Sequence, residues 1–144
     1  MKGIVNSVLL VNSDKSHNFL NQYRLLKYCA LGNIIKVSNG NEAIDYLTKI
    51  KKDPSLKPDL IILNCDLAMM NKSEFFSHFS NLGPRITRGI KIIILHETIP
   101  QEDLKNICLH RNVVGAIKKP LSPSKIDELF HKYFLIDINN QDES

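Results

Sequence analysis

Four clusters of chemically capable side chains stand directly behind short apolar runs: Asn12-Ser13-Asp14, Asn64-Cys65-Asp66, His96-Glu97-Thr98 and Lys118-Lys119-Pro120. They combine carboxylates, amides, an imidazole and amines. Carboxylate oxygens are hard ligands for cations, and an imidazole titrates near neutrality. Other chemistries have less support. No G-x-G-x-x-G or P-loop occurs, and Asn39-Gly40-Asn41 has turn chemistry rather than that of a phosphate cradle. The three cysteines, Cys29, Cys65 and Cys108, are odd in number and lack CxxC spacing, so buried thiols are expected rather than disulfides or a zinc site.

The elements that position these clusters follow from the hydrophobic pattern. Brief runs rich in Val, Ile and Leu fall at residues 8–11, 34–37, 60–63, 92–95 and 113–117. Their near-continuous apolar character predicts strands buried on both faces, as in a parallel sheet. Between them the spacing is helical. One helix is predicted over residues 15–30 on Tyr23, Leu26 and Ala30, a second from Asn41 on Ala43, Ile44 and Leu47, and a third over 73–82 on Phe75, Phe76 and Phe79. Met69, Met70 and these phenylalanines read as core rather than as a cofactor box. The fourth helix starts after Pro100 with Gln101, Glu102 and Asp103, and the fifth has Ser122 as N-cap and Pro123 at its first position. Residues 51–58 and 83–89 read as polar loops. Five strands alternating with five helices give a doubly wound α/β fold, with functional groups outside the carboxyl ends of the strands. All four clusters then belong to one end of one sheet.

The chain has 144 residues, 43% hydrophobic and 24% charged, the balance of a single globular domain. That domain is expected over residues 1–136, with a frayed polar tail over 137–144 (DINNQDES). No apolar run approaches the ~18 residues of a membrane span, and the N-terminal apolar run lacks a small-residue cleavage site. A cytoplasmic protein is the expectation. The net charge is +4, but apart from Lys49, Lys51 and Lys52 the basic residues are scattered, which argues for a solvated surface over a nucleic-acid partner.

The ordered segments VLLVNSD, PDLIILNCDLAMMN, IIILHET and AIKKPL resemble the receiver domain of response regulators, over residues 5–134. The resemblance implies a flavodoxin-like (βα)5 fold and a place in two-component phosphorelay signalling rather than an enzymatic role. In that family a carboxylate ends the third strand and attacks phosphorus, while two acids ending the first strand hold a divalent cation. A hydroxyl residue ends the fourth strand, and a lysine followed by proline ends the fifth.

Carried onto this chain, most of the set is changed. Asn64 stands at the phosphoacceptor position, Asn12 and Ser13 at the acidic pair, and His96 at the hydroxyl-switch position. Lys119 and Pro120 match. Ala116 stands where the switch aromatic belongs. Three carboxylates have become neutral while the lysine remains, so the attraction for Mg²⁺ largely disappears. Each unit charge at ~4 Å is worth about 4 kcal/mol at an effective dielectric of about 20.

Two acids lie just past the matched sites. Asp14 reads as a cap of the first helix, and Asp66 matches a loop position whose backbone normally faces the metal. Lys119 either pairs with Asp66 or Glu97 or is solvated. The expectation is a degenerate pseudo-receiver, acting by contact with a sensor kinase, a phosphotransfer protein or another signalling protein. The alternative is a receiver still phosphorylated at Asp66, Asp14 or His96. The family's output face corresponds to residues 101–110, 113–117 and 124–133, with Lys105, His110, Arg111, Lys118 and Lys125 as polar candidates. Receiver relatives often dimerise through that face.

Overall fold

The computed structural model describes residues 5–13, 15–26, 29–64, 72–97 and 99–133. Asp14, Cys65, Asp66, Met69, Met70, Thr98 and the tail from residue 137 lie outside them. Among the described residues are β1 (Val5–Val11), α1 (Lys15–Leu25), β2 (Cys29–Val37), α2 (Gly40–Thr48) and β3 (Leu60–Asn64), then α3 (Lys72–Asn81), α4 (Pro84–Thr87) and β4 (Lys91–His96). The last three are α5 (Gln101–Cys108), β5 (Val113–Lys118) and α6 (Pro123–Tyr133). The strands form one all-parallel sheet in the order β2-β1-β3-β4-β5.

Period-two alternation within apolar strands sends successive side chains to opposite faces. In β3, Ile61 and Leu63 join Leu9, Val11, Ile92 and Ile94 beneath Ala43 and Leu47 of α2 and Phe75 and Phe79 of α3. Leu60 and Ile62 join Val8, Leu10, Ile93 and Leu95 on the other face, against Leu25 of α1 and Ile126, Leu129 and Phe130 of α6. The central strands are covered on both faces, which is why their sequences carry no polar face.

Caps fix two helix starts. The Asn39 side chain accepts a hydrogen bond from Glu42 N at 2.9 Å, while Glu42 Oε1 accepts from Ser38 N at 2.7 Å, so the Asn-Gly-Asn segment opens α2 with a variant of the capping box. Ser122 Oγ accepts from Lys125 N at 3.3 Å, with Pro123 as the first residue of α6.

Four expectations are revised. α1 ends at Leu25, and β2 begins at Cys29 rather than at residue 34, because the backbone of Cys29 and Asn33 pairs with Val5 and Ser7 of β1 across a bulge. Residues 83–89 hold a one-turn helix between Gly83 and Gly89, whose φ values of 90° and 84° suit only glycine without strain. A 3-10 turn at Lys49–Lys51 leads into the 51–58 segment, and a second at Pro54–Leu56 lies within it. Cys108 is a free, exposed thiol rather than a core one, because Ile107 takes the inward position of α5.

Candidate functional site

The chain runs from β1 outward to the edge strand β2 and then returns to β3 on the other side of β1, so the carboxyl ends of β1 and β3 flank the point where strand order reverses. Crevices at such points are where open α/β sheets place their sites. Register decides what meets there. Val11 pairs with Leu63, so the next residues, Asn12 and Asn64, come out side by side. They are 3% and 5% exposed. Asn64 Nδ2 donates to Asn12 Oδ1 at 3.0 Å, and Asn12 N donates to Val37 O at 3.0 Å.

An amide carries both a donor and an acceptor, so one of two facing amides can donate directly to the other, as Asn64 does to Asn12. Two facing carboxylates carry acceptors alone and need a proton or a cation between them. The sequence difference at these positions therefore changes the kind of bond that closes the crevice.

The neighbouring strands supply the rest. Asn64 pairs with Leu95, and one step on His96 pairs with Lys118. His96 is half-buried, and its carbonyl accepts from Lys119 N at 2.8 Å. Lys119, half-buried, precedes Pro120 through a cis peptide bond. Ser13 is exposed. Asn12, Asn64, His96 and Lys119 thus share one end of the sheet, with Glu97 lining the same cavity as Asn12 and Lys119.

The output-face candidates separate. Lys118 and Lys125 come together, with Lys125 Nζ donating to Lys118 O at 2.6 Å, and Lys105 is exposed on α5. The His110 ring lies instead against α3, 4.7 Å from the Phe76 ring centroid and 5.8 Å from that of Phe79. Its Nε2 is 3.1 Å from Ser80 Oγ, and Nδ1 accepts from Asn112 N at 3.2 Å. Burial, and secondarily the charge of Arg111, lowers its pKa below the ordinary 6.5. Arg111 is exposed and lines a cavity with Pro84 and Thr87.

Two further features did not stand out in the sequence. A side chain at Gly115 would collide with the Tyr133 hydroxyl, so an aromatic from α6 lies over β5 next to Ala116. Asn21 and Arg24 of α1 line the cavity with Lys119, and Arg24 Nη1 donates to Leu121 O at 2.8 Å. Helical spacing alone shows that Asn21 and Arg24 share a face, not what that face meets.

Mg²⁺ takes a set of hard oxygens. Here positions 12 and 64 present neutral amides with an N–H turned into the pair, and no three His, Cys, Asp or Glu side chains converge among the described residues. Among the described residues, this donor set does not fit a divalent cation.

A five-stranded parallel sheet in the order 2-1-3-4-5, wrapped on both faces by helices and ending in a crevice beside a Lys-Pro turn, is the flavodoxin-like fold of receiver domains. No protein-family profile matches the chain, and a search of curated proteins finds no significant relative. Solved structures do match, and response regulators and receiver domains are among them. A two-component response regulator from Cytophaga hutchinsonii is 23% identical, with a TM-score of 0.78, covering 94% of this chain and 98% of its own. A phosphorylated cyanobacterial phytochrome response regulator is 26% identical, with a TM-score of 0.69, covering 87% and 92%. The receiver domain of a sensor histidine kinase from Pseudomonas aeruginosa, with a magnesium ion coordinated in its active-site cleft, is 19% identical, with a TM-score of 0.66, covering 91% and 98%. The chain has the fold of a response-regulator receiver domain. Among the described residues no helix is long and apolar enough to cross a membrane.

Proposed function

We propose that this protein is a pseudo-receiver of two-component signalling, which acts through protein contacts and neither holds a divalent cation nor accepts a phosphoryl group. The observation that carries this reading is the hydrogen bond from Asn64 to Asn12. A carboxamide is a weak nucleophile, and here its N–H side is committed to its neighbour. Asn12 offers no negative charge to a metal. Lys119 keeps the place from which receivers contact phosphoryl oxygens, so the frame survives while its reactive groups are neutral.

Recognition by a partner depends on shape and surface rather than on the acceptor. A sensor kinase or phosphotransfer protein that docks on receivers finds the same fold here. The chain would then act as an adaptor, or as a decoy that occupies a partner without discharging it. Lys105, Lys118 and Lys125 are candidates for the output face, through which a homodimer would also form.

The test is to mix the chain with a phosphotransfer protein loaded with labelled phosphoryl groups. A stable complex in which the label stays on the partner is the expected result. Label on this chain overturns the reading, and mapping it to Asp66, Asp14 or His96 identifies a surrogate acceptor. Absence of any complex removes the decoy role.

A further inference from the structure

Beside the amide pair, a cavity of about 300 Å³ opens between α1 and the turn that joins β5 to α6. Asn12 lines it, and Asn64 is not among its lining residues. Among the described residues, two of its polar groups keep bonding capacity that no side chain meets. Asn21 is 6% exposed and faces this cavity, and its side chain makes no hydrogen bond with the described residues. Arg24 is half-buried and held by the neutral carbonyl of Leu121, and it forms no ion pair with the described residues. Water satisfies an amide, but it does not neutralise a partly desolvated guanidinium. An anion does, because the guanidinium has five N–H donors in a planar fork suited to a carboxylate.

The rest of the lining narrows the anion. Leu20, Leu95 and Leu121 supply an apolar wall, which inorganic phosphate leaves uncovered. Glu97 lines the cavity together with Lys119, so these two opposite charges offset and Arg24 leaves the lining with one net positive charge, which suits a monoanion. The volume stands at the low end of the about 300–1,000 Å³ of small-molecule sites.

We propose that this cavity binds a small organic monocarboxylate, its carboxylate on Arg24 beside the Asn21 amide and its apolar body along Leu20, Leu95 and Leu121. The site spans α1 and the turn leading into α6, so its occupant bridges two elements that the chain itself joins here through Arg24. A ligand of this kind gives the domain an input that requires no phosphoryl group. The site stands whether or not the chain signals through kinases, since it rests on the cavity alone.

The experiment is amide chemical-shift titration of the full ¹⁵N-labelled chain with three probes: hexanoate, the uncharged hexanamide, and inorganic phosphate. The expected result is saturable shifts with hexanoate in α1 and at residues 119–123. Hexanamide and phosphate should bind about tenfold or more weakly, as should hexanoate to Arg24→Gln, because each loses the charge-assisted fit of a carboxylate on the guanidinium beside the apolar wall. Asn21→Leu provides a second variant that keeps the Arg24–Leu121 bond. Absence of saturable shifts with hexanoate, equal binding of hexanamide or phosphate, or shifts centred elsewhere overturns the proposal. The probe comparison on the unaltered chain decides the matter even if a variant fails to fold.

Discussion

Replacing both Asn12 and Asn64 with aspartate converts the amide pair into the acceptor-only pair that it stands in for. At the observed 3.0 Å, two full charges repel by about 5.5 kcal/mol at an effective dielectric of about 20. A shared proton relieves the repulsion. Holding that proton costs about 1.4 kcal/mol for each pH unit above the reference pKa of about 3.9, so about 1.5 kcal/mol at pH 5 and about 5.5 at pH 8.

The folded pair therefore binds a proton that the unfolded chain has released, its pKa is raised, and stability falls as pH rises from about 4. The single variants behave differently, because one remaining amide turns its N–H to the new carboxylate, and they should lose about 1 kcal/mol or less. The assay is urea unfolding of the four proteins at several pH values, with and without Mg²⁺. The double variant should become steeply less stable toward pH 8 and recover when millimolar Mg²⁺ is present, while the parent protein ignores the metal. A double variant as stable as its parent at pH 8 without divalent cations would refute the facing geometry and the charge argument built on it.

Three other perturbations probe separate parts of the account. Below about pH 6.5 stability should fall, because His110 with its lowered pKa is neutral in the folded state and protonated in the unfolded one, and His110→Gln should flatten that slope in pH-dependent unfolding. Asn112 donates to Thr87 O at 2.9 Å and Ile90 O at 2.8 Å, tying α4 to the start of β5; Asn112→Ala should cost about 2–3 kcal/mol by denaturant midpoint. Gly115→Val should drive the Tyr133 ring off β5 and cost about 1–3 kcal/mol, and adding Tyr133→Leu should return part of that loss by calorimetry.

The sequence made the central strands legible because burial on both faces leaves a run such as Leu60–Leu63 without polar interruption. It hid the first half of β2, where Ala30, Leu31 and Gly32 lack β-branching and continue the helical rhythm of α1. Only pairing with Val5 and Ser7 makes that stretch a strand. The short α4 was hidden because its four residues carry no periodicity, and its glycines read as loop punctuation.

At the site, the positions of Asn12, Asn64, His96 and Lys119 at one sheet end followed from the strand ends. The bond between the two amides required the parallel register. The roles of Asn21 and Arg24 depend on how α1 is rotated against a turn nearly a hundred residues away, which no local pattern encodes.

The most direct test of the central claim is the intact mass of the chain after incubation with Mg²⁺ and a small acyl phosphate donor, beside a competent receiver as control. The account predicts a modified control and an unmodified chain. A stoichiometric phosphoryl adduct on this chain would contradict it.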